Sequence, residues 1–326
     1  MTETAQAFWV REPGHGEIRP ARLAAPGPGE ALVRARFSAV SPGTEALVFR
    51  GGVPESEHGT MRAPFQEGEF PGPVKYGYLS VGIVQDGPEA LRGRTVFCLY
   101  PHQTAYVVPV DALTPVPDDV PARRAVLAGI VETAVNALWD VPARVGDRIS
   151  VVGGGLLGCC LTRLLTGIPG TRITLVDVDP ARREVAAALG ASFASPADAD
   201  GDQDVVYHAS ATAAGLQSSL DLLRTEGTVV ELSWYGEQAV TLRLGAAFHA
   251  RRLTIRSSQV GMVAPARRGS RSTRDRLALA VALLRDPAFD VLLTGSSPFP
   301  ELPRVLQDLA AGRLPALAHT ITYEDG

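Results

Sequence analysis

Three glycines, Gly153, Gly155 and Gly158, form a G-x-G-x-x-G array with Leu156 and Leu157 at its two adjacent variable positions. The β-branched apolar run before it, residues 149–152, reads as a buried parallel strand; residues 159–166 read as the helix that follows. Strand, tight turn and helix start in that order suit a pyrophosphate. One glycine makes the turn, one lets phosphate reach the backbone, and one lets helix and strand pack closely. The helix start adds free N–H groups and a positive dipole end. A second strand, 172–176, ends at Asp177, 19 positions beyond Gly158, near the spacing of about 20 at which an acid grips ribose hydroxyls. A carboxylate there favours NAD over NADP, because a 2′-phosphate would meet like charge. Arg182 follows closely and is either a contact to the ribose or adenine or a solvated helix arginine. Ala209 and Ser233, at the ends of later strands, are further candidate cofactor contacts.

A second set of residues has acid/base chemistry. Of 31 basic residues only Lys75 is a lysine, and an ammonium can lose a proton where a guanidinium effectively cannot. Tyr78 lies three positions on. Glu45 follows Thr44 in a turn, and His102 stands at a strand end, either a base or a structural histidine. Glu132 precedes Thr133 at a helix start. His208 follows an apolar strand near the expected cofactor edge. Trp234 and Tyr235 end another strand and either line a pocket or pack in the core.

The elements that must position these residues fall into two kinds. Residues 1–132 read as β-structure and loops, with alternating runs at 30–36, 79–84, 95–99 and 105–108 and an exposed loop at 51–72. Residues 133–256 alternate strand and helix, as in a doubly wound sheet. Within them, residues 213–224 read as a helix and 228–234 as a strand. Residues 257–326 carry one amphipathic helix, 273–284, and strand-like runs at 291–293 and 318–323. The fold class is therefore α/β, a β-rich domain followed by a doubly wound one.

Composition narrows the function. The 326 residues suit about two domains. A net charge of −4 gives no electrostatic case for nucleic acid or an anionic membrane surface. No apolar run approaches the ~18 residues of a membrane span, and the N-terminus lacks the pattern of a signal peptide. Cys98, Cys159 and Cys160 read as reduced thiols in a cytoplasmic protein.

Several segments together resemble the medium-chain dehydrogenase/reductase superfamily over nearly the whole chain. Ser41-Pro-Gly-Thr-Glu is similar to its C-G-T-D segment, Lys75-Tyr-Gly-Tyr-Leu-Ser-Val-Gly to its G-H-E-x-x-G segment, and Val145-Gly-Asp-Arg precedes the Rossmann strand as in the family. Ser257-Ser-Gln-Val-Gly is similar to a branch that includes bacteriochlorophyllide side-chain and sugar or cyclitol dehydrogenases. The resemblance implies a GroES-like catalytic domain (1–132), a Rossmann domain (133–256) and a C-terminal return to the first (257–326). It also implies an active site in the cleft between domains, Thr133 on the nicotinamide side, and homodimers.

The departures concern zinc. The resemblance puts Pro42, Tyr78 and Leu79 at positions of the family's Cys, His and Glu, with the third ligand near Gly129, and none of these is a normal zinc ligand. The segment 85–95 lacks the four cysteines of the structural zinc. No zinc is expected, unless Glu45, His102 and Glu132 build an unusual site. Thr44 takes the family's proton-relay position, and Tyr78, with Lys75 lowering its pKa, is expected to act as acid/base. The reading is an NAD-dependent, zinc-independent oxidoreductase interconverting a secondary alcohol and a ketone on a polar or ring-bearing small molecule. The alternatives are an NADPH-dependent quinone or enoyl reductase, and a dinucleotide-binding protein without activity.

Overall fold

A computed structural model of the chain describes residues 3–323. The chain divides into two compact units. One comprises Met1–Gly129, Leu277–Asp286 and Leu293–Gly326, the other Ile130–Arg276 and Pro287–Leu292.

The first unit is β-rich. The hairpin Glu3–Glu12 and His15–Leu23 is extended by the short strands Val74–Lys75 and Glu67–Gly68. A seven-stranded sheet centres on Glu30–Val40, which pairs antiparallel with Ser80–Asp86, Ala105–Pro109 and Ala318–Thr322. The period-two pattern explains the central strand: Ala31, Val33 and Ala35 are buried, the first two packing with residues such as Val84, Val96 and Tyr106, while intervening side chains are more open. The strand Ala318–Thr322 pairs with this central strand.

The second unit holds six parallel strands. We number them β1 (Arg148–Val152), β2 (Arg172–Val176), β3 (Ser192–Ala194), β4 (Gln203–His208), β5 (Leu223–Glu231) and β6 (Thr254–Ser257). Their spatial order is β3-β2-β1-β4-β5-β6, that of a dinucleotide-binding sheet. Two helices matter for the site, α1 (Ala128–Asp140) and α2 (Leu156–Thr166). Among the described residues no helix is long and apolar enough to cross a membrane.

Several boundaries differ from expectation. The division falls at 129/130, not 132/133, and residues 257–276 stay with the second unit instead of joining the return. Polar side chains of α1 hold them there: Asp140 accepts from Ser258 Oγ at 2.7 Å, and Asn136 Oδ1 accepts from Ala264 N at 3.1 Å. The helix expected to reach 224 ends at Asp221, because Leu223 is wholly buried and already pairs with Gln203 as β5 begins. The run 291–293 lies mostly in a 3₁₀ turn, Pro287–Leu292, with the strand starting at Leu293.

Candidate functional site: a dinucleotide crevice and a buried acid/base cluster

In the second unit the chain leaves β3 and resumes at β4 on the opposite side of β1. The carboxyl ends of β1 and β4 thus flank a topological switch point, where open α/β sheets bind ligands. Gly153 ends β1 with φ +109, and a Cβ there would stand 2.6 Å from Ser210 N. A Cβ on Gly158 would collide with the Gly153 carbonyl oxygen. Both positions therefore require glycine, for the turn and for the helix–strand approach. Gly155 is the exposed N-cap residue of α2, and a Cβ there would meet nothing within 4 Å. That open space lies before the helix start, where a pyrophosphate binds.

Asp177 is held in place. Its Oδ2 accepts from Gly154 N at 2.5 Å and its Oδ1 from Asp179 N at 2.8 Å. The Arg182 guanidinium lies 3.5 Å from Asp179 and its stem lies alongside Gly154. Leu156 is buried and Leu157 half-buried. Ala209 N donates to Val152 O at 2.8 Å, tying the end of β4 to β1, and Ser233 Oγ accepts from Ala211 N at 3.0 Å. Thr133 is half-buried on α1. This loop, helix start and fixed carboxylate fit a dinucleotide.

Glu132 does not join a metal site. Its Oε1 accepts from the buried Arg276 at 3.0 Å. Burial pushes the Glu132 pKa up against the pull of that guanidinium. Arg276 also donates to Asn136 Oδ1 at 2.5 Å and to the carbonyls of Val260 and Met262. Asp140 completes the row. Residues 132, 136 and 140 repeat at i, i+4 and i+8 on one face of a mostly apolar helix, a pattern readable in the sequence.

In the first unit the acid/base candidates separate into two clusters. Glu45 and His102 are both buried, with His102 Nε2 2.8 Å from Glu45 Oε2. His102 Nδ1 lies 2.7 Å from Ser38 Oγ, which is 2.8 Å from Tyr323 Oη. Glu45 Oε1 accepts from Ser41 N at 2.9 Å. Tyr78 is half-buried beside this group, where Ser41 and Thr44 favour its ionised form. Burial, and then the negative charge of Glu45, push the Tyr78 pKa up to about 12. Ser38 and Tyr323 were not foreseen; they are far apart in sequence, and only the pairing of Ala318–Thr322 with Glu30–Val40 joins them.

Lys75 lies in the other cluster and does not form the expected pair with Tyr78. Its ammonium is buried, bonded to Glu67 and to Gln103 Oε1 at 2.9 Å, and lies over the Tyr100 ring at 5.2 Å. Burial lowers its pKa, opposed by Glu67. Lys75 is thus engaged elsewhere, and Tyr78 is shifted upward rather than downward.

The positions at which the resemblance puts zinc ligands do not fit that ion. Leu79 is wholly buried, and a Cβ on Gly129 would come 2.7 Å from Leu79 Cδ2, so hydrocarbon packs there. His102 has both ring nitrogens engaged by Ser38 and Glu45. Among the described residues no three His, Cys, Asp or Glu side chains gather as a metal ion would need. The three cysteines are free and buried.

No family model matches the chain. It is 27% identical over 234 residues, 66% of this chain and 69% of the relative, to 2-desacetyl-2-hydroxyethyl bacteriochlorophyllide A dehydrogenase of Rhodobacter capsulatus. Its structure is similar to that of L-idonate 5-dehydrogenase from Escherichia coli, with TM-score 0.81 and 16% identity over 99% of each chain. It is also similar to an NADP-bound dehydrogenase of zinc-binding type from Sinorhizobium meliloti, with TM-score 0.78 and 17% identity over 98% of this chain and 99% of that one. With a GroES-like β-rich unit and a Rossmann unit, the chain has the fold of the medium-chain dehydrogenase/reductases.

Proposed function

We propose that the chain is an NAD-dependent, zinc-independent oxidoreductase that interconverts a secondary alcohol and a ketone on a polar or ring-bearing small molecule. The observation that carries the coenzyme choice is the Asp177 carboxylate, fixed against the glycine loop by Gly154 N. It suits the two hydroxyls of an NAD ribose and repels a 2′-phosphate. When bound, the nicotinamide supplies or accepts the hydride.

The chain's residues handle the oxygen and its proton. Tyr78, with its pKa near 12, holds its phenolic proton at neutral pH. It can donate a hydrogen bond to a carbonyl oxygen and give up that proton as the alkoxide forms. Ser41 and Thr44 favour the ionised form and so support the phenolate left behind. Glu45 opposes that phenolate, so the Tyr78 proton is readily regained. At neutral pH this arrangement keeps the phenol, the form that donates to a carbonyl oxygen.

The protonated Tyr78 would equally serve a quinone or enoyl reductase, the second reading, but that reading usually goes with NADPH, which Asp177 disfavours. We further propose a cytoplasmic homodimer pairing through the edge strand β6. Titration of the protein with NADH and NADPH tests the central reading. Tighter NADH binding, reversed in favour of NADPH by Asp177→Ser, is expected; tighter NADPH binding to the unaltered protein would move the reductase reading to first place.

A further inference from the structure

The crevice has a second wall with no role so far. His208 and Glu231 are register partners at the carboxyl ends of β4 and β5. His208 Nδ1 lies 2.8 Å from Glu231 Oε2, with the histidine wholly buried and the glutamate side chain 13% exposed. The same carboxylate accepts from Ser233 N at 2.7 Å and from Tyr235 Oη at 3.1 Å. Burial pushes the Glu231 pKa up, but the His208 and Ser233 hydrogen bonds outweigh it and keep the group below the ordinary carboxylate range. His208 Nε2 lies 2.7 Å from Ser210 Oγ, and Ser210 N is the atom that a Cβ on Gly153 would meet. The wall therefore abuts the glycine loop.

The strand order then places one half-buried anion. Asp177 ends β2 on one side of β1, and Glu231 ends β5 on the other, two strands away. At about 4.8 Å per strand, β5 is about 10 Å from β1. A dinucleotide with its adenosine ribose on Asp177 and its pyrophosphate before α2 extends its other half over β4 and β5. An oxidised nicotinamide ring carries a positive charge that the reduced ring lacks. We propose that Glu231, oriented by His208, is a selectivity residue that makes this crevice bind the oxidised coenzyme more tightly than the reduced one. The inference rests on the NAD reading above. Tighter binding of the oxidised form also makes bound NADH a stronger hydride donor, in keeping with a protonated Tyr78.

Calorimetric titration with NAD⁺ and NADH at pH 8 tests it on the unaltered chain, Glu231→Gln and His208→Gln. Glu231→Gln keeps the size of the side chain and an acceptor for His208 but removes the charge. The ratio of the NADH to the NAD⁺ dissociation constant should fall by about five- to tenfold, the effect of one nearby charge in a partly screened site. His208→Gln retains a donor to Glu231 and cannot carry a positive charge, so the ratio should stay or rise. Equal weakening of both coenzymes by Glu231→Gln, or a ratio that falls as far in His208→Gln, would overturn the proposal. Binding of neither coenzyme to the unaltered chain would overturn the dinucleotide reading and this inference with it.

Discussion

His102 Nε2 lies 2.8 Å from Glu45 Oε2, and the two side chains are 1% and 3% exposed. With Nε2 carrying the proton, His102 donates to Glu45, and its Nδ1 accepts from Ser38. Every buried polar atom of the pair then has a partner. The histidine is thus fully engaged in holding a carboxylate beside Tyr78. Replacing His102 by Ala would leave that carboxylate with one donor fewer in a dry site, at a cost of about 3 kcal/mol. The midpoint of urea unfolding would fall accordingly; an unchanged midpoint would show that water or another donor replaces the imidazole.

The upward shift of Tyr78 has two consequences. Tyr78→Phe removes the proposed donor, and turnover of any ketone substrate should fall by about 10²- to 10⁴-fold while the fold is retained. The second consequence is alkaline. A tyrosine free in the unfolded chain loses its proton near 10, whereas folded Tyr78 keeps it to about 12. Between those values the folded state binds more protons, so stability is intact below pH 10 and falls as pH rises, by about 1.4 kcal/mol for each pH unit in that window. Tyr78→Phe should flatten part of that fall, as read by denaturant unfolding at several pH values with phenolate absorbance followed alongside. An alkaline slope identical in Tyr78→Phe would contradict the assignment.

Arg276 carries the link between residues 257–276 and α1. Arg276→Met leaves Glu132 buried without its guanidinium, and the loss should be about 3–5 kcal/mol. Adding Glu132→Leu should recover part of it, since the unpaired charge then disappears. If the single and double replacements prove equally destabilised, the Arg276 contacts to Asn136 and to the Val260 and Met262 carbonyls matter more than the ion pair.

The second unit was largely legible in the sequence, for a physical reason. The glycine array, the β-branched runs and Asp177 are local signals, each fixed by backbone geometry within a few residues. The acid/base cluster was legible only as a set of residue types. Lys75 and Tyr78 are three positions apart, yet Lys75 turns to Glu67 and Gln103 while Tyr78 lies in the field of Glu45. Ser38 meets Tyr323 only because the last strand pairs with Glu30–Val40, and no local pattern encodes a pairing across 285 positions. Glu231 escaped notice because a lone carboxylate at a strand end is ordinary; its register with His208 gives it meaning.

Hydride chemistry on NAD without zinc is tested by metal content and coenzyme binding measured on one purified sample. Zinc should be far below one ion per chain, NADH should bind more tightly than NADPH, and chelator treatment should cost neither NADH affinity nor ketone turnover. One tightly held zinc per chain, with turnover lost on its removal, would contradict it: some set of side chains, Glu45 and His102 foremost, would then have to open to the metal.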